Sequence, residues 1–402
     1  MRPLRRGLLA LLLLSLAGCS TVGEWFSMDD DEDPRQPAQL TDIDERLEIR
    51  RLWSVGVGKG QGRGLYRLQP AIDGDRVFAA SADGELRAVD RESGRSLWKV
   101  ELRRGLSGGV GFHDDSLLLG GSDGEVLLLD ADDGAERWLA QVTGEVLAPP
   151  QADGRVVVVQ TYDGKLYGLD YASGERLWNF DSNVPVLTLR GTSTPILRDG
   201  VAFAGFANGR VLAFDALSGA VLWEARIAIP QGRSEIERIV DVDGSMALQG
   251  GELYVASYQG RVAALDVRTG RKLWQRNAST FGGVSLGFGN VYVAEENGSV
   301  IAYLRGGQGI RWEQDALAWR GLARPVPVSS YLAVSDFQGY VHFLSQVDGS
   351  ILARIRPDND GVRADMLSIG SRLYLYSNSG KLQAYAVAAR EPLLYLGGAV
   401  LV

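Results

Sequence analysis

The chain has 402 residues, 51 of them glycine and nine tryptophan, with one cysteine and a formal net charge of −8. A single cysteine excludes a disulfide framework, and the acidic balance argues against nucleic acid as a partner. The length exceeds one ordinary domain, and so many turn residues point to internal repeats.

In chain order, MRPLRRGLLALLLLSLAGCS sets Arg2, Arg5 and Arg6 before an apolar run from Leu8 to Leu14. This is the layout of a bacterial secretory signal, too short for a permanent transmembrane helix. Leu16-Ala17-Gly18-Cys19 resembles a lipobox, so residues 1–18 are expected to be removed and Cys19 to be acylated. Acyl chains contribute about 0.8 kcal/mol per buried methylene and can hold a soluble domain to a membrane. Ser20 stands where the inner-membrane retention signal of such lipoproteins has aspartate, which implies export to the outer membrane. Residues 19–45 then read as a lipidated, flexible tether, with like charges from Asp29 to Asp33 and prolines at 34 and 37.

From there the sequence repeats. FAASADGELRAVDRESGRSLW from Phe78 aligns without gaps with LLGGSDGEVLLLDADDGAERW from Leu118 and VVQTYDGKLYGLDYASGERLW from Val158. The first turn glycines fall at Gly84, Gly124, Gly164, Gly209, Gly260, Gly298, Gly339 and Gly380, with spacings of 40, 40, 45, 51, 38, 41 and 41 residues. A period near 40 is that of a propeller blade. Each unit reads as alternating strands joined by Asp-Gly, Asn-Gly or Gln-Gly turns, with an earlier strand, such as Thr194 to Leu197, completing four. The expected fold is all-β: an eight-bladed β-propeller over residues 46–390, made of four-stranded antiparallel blades. A tryptophan lies fourteen residues after the turn glycine at Trp98, Trp138, Trp178, Trp223, Trp274 and Trp312, whereas positions 353 and 394 hold Ala and Leu. Trp53, with no hairpin before it, is expected to supply the eighth blade through an N-terminal strand that closes the ring beside Lys381–Val387. Residues 391–402 run past the last blade, and packing on the ring, adding a strand and staying mobile all remain open to them.

The Asp-x-x-[Ser/Thr]-Gly-x-x-x-Trp pattern, as in Asp90 to Trp98 and Asp266 to Trp274, resembles the tryptophan-docking repeat of quinoprotein alcohol dehydrogenases. That resemblance implies two structural jobs: tryptophan packing on a neighbouring blade and aspartate holding a turn. A quinone-dependent dehydrogenase is therefore the competing reading, and its chemistry needs a metal, a cofactor seat and an electron exit. The sequence has neither adjacent cysteines nor a C-x-x-C-H haem site, and His113 and His342 lie in different blades without ligand spacing. Both histidines read as turn or surface residues, and no cofactor, metal or catalytic residue is expected. A structural lipoprotein with an unrelated partner is the third reading.

The two longest spacings come from NFDSNVPVLTLRGTSTP after Trp178 and EARIAIPQGRSEIERIVDVDGS after Trp223. Four antiparallel strands bring both connections out on one face of the ring, as neighbours. With the lipobox and the repeats, L-T-L-R-G-x-S-x-P and E-I-E-R-I-V-D-V-D resemble the BamB family of outer-membrane protein assembly factors, from Cys19 to about Ala388. The resemblance implies a non-catalytic scaffold that binds a POTRA domain of BamA and helps to hand over unfolded barrel precursors, by pairing with their strands. The expected contact residues are Leu187, Leu189, Arg190, Asp241 and Asp243. Alternation would point both leucines one way and Arg190 the other, with the two carboxylates on one side of the adjoining insertion. The structural alternative is that the leucines fill a blade joint and Arg190 pairs with an aspartate across the loops.

Overall fold

The computed structural model describes residues 35–390, apart from Arg63, Leu65, Val184 and Val186. The signal sequence, Cys19, the acidic run and residues 391–402 lie outside the described residues. Met1–Pro37 is a separate unit of which only residues 35–37 are described, and the repeats belong to the unit that begins at Ala38.

Among the described residues, eight four-stranded antiparallel sheets follow one another along the chain. Blade 4 is typical, with strands Ile196–Arg198, Val201–Gly205, Arg210–Asp215 and Val221–Arg226 in that order from the inside out. Its two middle strands are almost wholly buried, because stacking against blades on either side covers both faces of each sheet. Only the outermost strand keeps a buried-exposed alternation, with Trp223 buried and Leu222 and Glu224 exposed. The first strand of this blade begins two residues later than the sequence pattern suggests, because Pro195 has no N–H for a ladder bond.

Seven tryptophans each join their blade to the next. Indole N–H groups of Trp53, Trp98, Trp138, Trp178, Trp223, Trp274 and Trp312 donate to backbone carbonyls of the following blade at 2.8–3.1 Å. The ring lies on a turn glycine. Gly219 has φ +72°, and a side-chain carbon there would sit 2.5 Å from the Trp178 ring, so the turn requires glycine for both reasons. Asp215 holds the same turn by accepting the Ser218 N–H at 2.8 Å and its hydroxyl at 2.7 Å.

Closure takes the expected route. Strand Leu47–Gly56 pairs antiparallel with Lys381–Ala389, with Trp53 opposite Ala384. Because the fourth strand of blade 8 comes from the N-terminus, that blade has no turn between its third and fourth strands. A tryptophan in blade 7 would have nothing to receive it. Ala353 stands at that position, and Leu47 and Leu352 fill the joint around it. Part of the segment read as a tether is also fixed: Ala38 N–H donates to Ala318 O and Arg46 N–H to Leu352 O, both at 2.8 Å.

Candidate partner-binding surface

Residues 182–195 and 227–246 connect blade 3 to blade 4 and blade 4 to blade 5, and they meet as the topology requires. The Leu189 N–H donates to Asp241 Oδ2 at 2.5 Å, and Gly191 lies so close to Asp243 that a side-chain carbon on it would be 3.1 Å from Oδ2. The second insertion carries a single-turn 3-10 helix, Ile236–Arg238, whose residues are exposed. It then dives inward. Ile239, Val240, Asp241 and Val242 are all buried, with the Val242 N–H donating to Phe206 O and the Asp241 carbonyl accepting from Tyr258.

This burial changes the expected roles of the five residues. Leu187 is 41% exposed, whereas Leu189 is half-buried, so the two leucines do not present one common face. The stretch is bent rather than strand-like, since its backbone is tied to a loop instead of a ladder. Asp241 is 1% exposed and Asp243 half-buried, so their carboxylates do not form an exposed acidic strip. Asp241 Oδ1 and Asp243 Oδ2 are buried without a hydrogen-bond partner. Burial pushes the Asp241 carboxyl up to about 7, against the lowering effect of the Leu189 N–H. Asp243 rises well above the usual carboxylate range through burial and then the charge of Asp241, with Arg67 opposing.

Arg190 pairs with neither aspartate. Its Nη2 reaches both oxygens of Glu145 at 3.0 and 2.9 Å, and its Nε donates to Gly64 O at 2.9 Å. The guanidinium lies 5.7 Å from the ring centres of both Tyr66 and Tyr162. The side chain nevertheless remains 37% exposed. Arg190 thus joins three inter-blade connections, which come together at one end of the ring. Glu145, Gly64, Tyr66 and Tyr162 were not visible as site residues in the sequence. Glu145 and Tyr162 sit in unexpanded turns of the adjoining blades 2 and 3, and Gly64 and Tyr66 in the connection from the closing strand into blade 1, which only ring closure brings to Arg190.

The two histidines separate. His113 is partly exposed at a strand end, as expected, with its ring edge-on to Tyr171. His342 is fully buried rather than a turn or surface residue, because Asp336 and Arg354 satisfy both of its ring nitrogens. Among the described residues, no three His, Cys, Asp or Glu side chains form a metal-binding group.

Fold and surface together define a quinoprotein-type eight-bladed propeller whose two expanded connections build a loop platform on one face. A family model described as Outer membrane protein assembly factor BamB matches residues 40–102 and 82–314. The Pseudomonas aeruginosa protein of that name is 48% identical over 380 residues, covering 94% of this chain and 98% of the relative. The crystal structure of BamB from Moraxella catarrhalis superposes with a TM-score of 0.78 at 30% identity, covering 84% of this chain and all of that one. The chain belongs to the BamB family of outer membrane protein assembly factors, and as a member of it is not an enzyme. The quinohemoprotein alcohol dehydrogenase of Comamonas testosteroni shares only the fold, with a TM-score of 0.64 at 12% identity over 88% of this chain and 78% of its own.

Proposed function

We propose that this chain is a lipid-anchored scaffold of the outer-membrane β-barrel assembly complex, binding a POTRA domain of BamA through the platform formed by its two expanded connections. One observation carries the reading: the insertions fold onto each other through Leu189 and Asp241 while Leu187 and the Arg190 side chain both stay partly exposed. On this reading the five residues divide their work. Leu187 and Arg190 touch the partner, and Leu189, Asp241 and Asp243 hold the loop that presents them. An apolar residue beside a charged one, on a platform fixed from beneath, has the composition of a recognition patch. Unfolded barrel precursors are a second partner class, for which the exposed edges of the outermost strands offer backbone pairing. Residues 1–18 act as the export signal, Cys19 as the acylated anchor at the periplasmic face of the outer membrane, and the residues up to Pro37 as the tether.

Binding of the isolated periplasmic region of BamA to the wild type, Leu187→Glu and Arg190→Ala tests the contact. Each folded variant should bind at least tenfold more weakly, and full binding by both would remove the assignment. The anchor is tested separately by Cys19→Ser, which should leave the outer-membrane fraction after a high-salt wash in cells lacking the assembly complex.

A further inference from the structure

Blade 7 contains a buried charged cluster used neither by the tryptophan joints nor by the loop platform. Asp336 follows strand Tyr331–Ser335 with its side chain fully enclosed. It accepts from Arg320 at 2.7 and 2.6 Å, from His342 Nε2 at 3.1 Å, and from the Gln338 and Tyr340 N–H groups at 3.0 Å. On the other side of the imidazole, Nδ1 accepts from Arg354 Nε at 3.2 Å. Both arginines end on the same distant segment. Arg320 Nη1 donates to Ala38 O at 2.9 Å, and Arg354 Nη1 donates to Thr41 O at 3.2 Å. With Arg46 bonded to Leu352, residues 38–46 form a strap along the outer strand of blade 7.

The geometry fixes the protonation state. Guanidinium has only donors, so the ring nitrogen facing Arg354 carries no proton, and Nε2 carries the one given to Asp336. His342 is therefore neutral while the strap is held. The groups acting on this cluster from each packed element are Asp336 after the second strand of the blade, Arg320 from the preceding connection, Arg354 from the outermost strand, Tyr340 beside the ring, and Asp42 on the strap itself. Burial keeps the imidazole below its ordinary range, although Asp336 opposes this. A second ring proton would take away the acceptor of Arg354 and set two cations face to face beside Arg320.

We propose that His342 is a proton-sensitive latch for the strap Ala38–Arg46, holding it through Arg354 at neutral pH and releasing it in acid. Linkage gives the direction. A histidine whose folded pKa is depressed stabilises the closed form above its unfolded value, about 6.5, and that contribution is lost as pH falls through the folded value. Release adds roughly 30 Å of reach to the chain preceding the ring, at about 3.3 Å per residue. That consequence rests on the anchor reading, whereas the release itself does not.

Hydrogen exchange of the Ala38 and Arg46 amides in the mature protein, corrected for intrinsic rates, tests the latch. Their protection should fall at least tenfold between pH 7.5 and pH 5, while amides of Val156–Gln160 in blade 3 keep theirs. His342→Gln keeps a donor for Asp336 and an acceptor for Arg354 but does not titrate, and should hold the strap at both pH values. Arg354→Met should loosen it at both. Equal protection across pH in the wild type, or an unchanged pH response in His342→Gln, would overturn the proposal. If the glutamine variant does not fold, ring nitrogen shifts of the wild type decide: a neutral Nε2-protonated ring at pH 7 supports the latch, and an imidazolium there refutes it.

Discussion

The tryptophan joints and the loop platform sit at opposite ends of the same strands and are made of different chemistry. At the joints, seven indoles repeat one contact, each with its N–H paired and its ring on a turn glycine. At the platform nothing repeats: Arg190 gathers groups from several connections, and two buried carboxylates keep an oxygen without a partner. Leaving a buried polar atom unsatisfied costs about 1–3 kcal/mol. The joints therefore supply stability, and the platform is the place where the ring accepts a local cost for a particular loop shape. The blade 7 cluster shows the alternative treatment of a buried carboxylate. Asp336 has Arg320 and His342 beside it and lies below the usual range despite its burial, whereas Asp241 has only a backbone N–H and lies above it.

The sharpest break between the two ends is in stability. Trp178→Ala should lower the unfolding free energy by roughly 3–5 kcal/mol, as truncation of a packed aromatic does. Trp53→Ala should cost a similar amount, because it opens the blade that closes the ring. Denaturant unfolding checks both, and a cost below about 1 kcal/mol for Trp53 would mean that its joint does not hold the ring. Leu187→Ser at the platform should leave the same curve unchanged.

A pH series separates the ends further. Asp241 ionises near 3.9 in an unfolded chain but at about 7 in the fold. Its neutral form is favoured by folding, so its contribution declines as pH rises through that interval and is constant above it. Asp241→Asn keeps an oxygen for the Leu189 N–H and removes the charge. Its stability relative to wild type should therefore improve by roughly 2–3 kcal/mol between pH 5 and pH 8. A flat difference would show that the carboxylate is not desolvated. Trp178→Ala should show no such trend.

The smallest effect expected is on partner binding by the support residues. Asp243→Ala should weaken binding to the BamA periplasmic region less than Arg190→Ala does, because Asp243 packs beneath the loop beside Gly191 rather than on its exposed side. Titration of both variants under one buffer ranks them. A larger loss for Asp243 would move the contact to the second insertion.

Legibility in the sequence followed the same division. Blade count, turn glycines, the seven tryptophans and the closing strand could be read directly, because each is a local pattern written several times or completes one. The empty position at Ala353 was visible, but its reason, a receiving turn missing from blade 8, required the strand order. The meeting of the two insertions followed from topology. Their exposure did not, because alternation assigns sides only when one face is open, and Ile239–Val242 is enclosed on both. His342 was misread for a related reason: its partners Asp336 and Arg354 lie 6 and 12 residues away, and no spacing rule connects them.

Whether the platform touches BamA, with Leu187 at the contact, is best decided in intact cells. A photoreactive amino acid is placed at position 187 of the full-length protein and the cells are irradiated. A crosslink to BamA is expected, and it should be absent when the same probe stands at Leu222, an exposed position on the outer strand of blade 4. A crosslink from Leu222 with none from Leu187 would contradict the platform as the BamA contact.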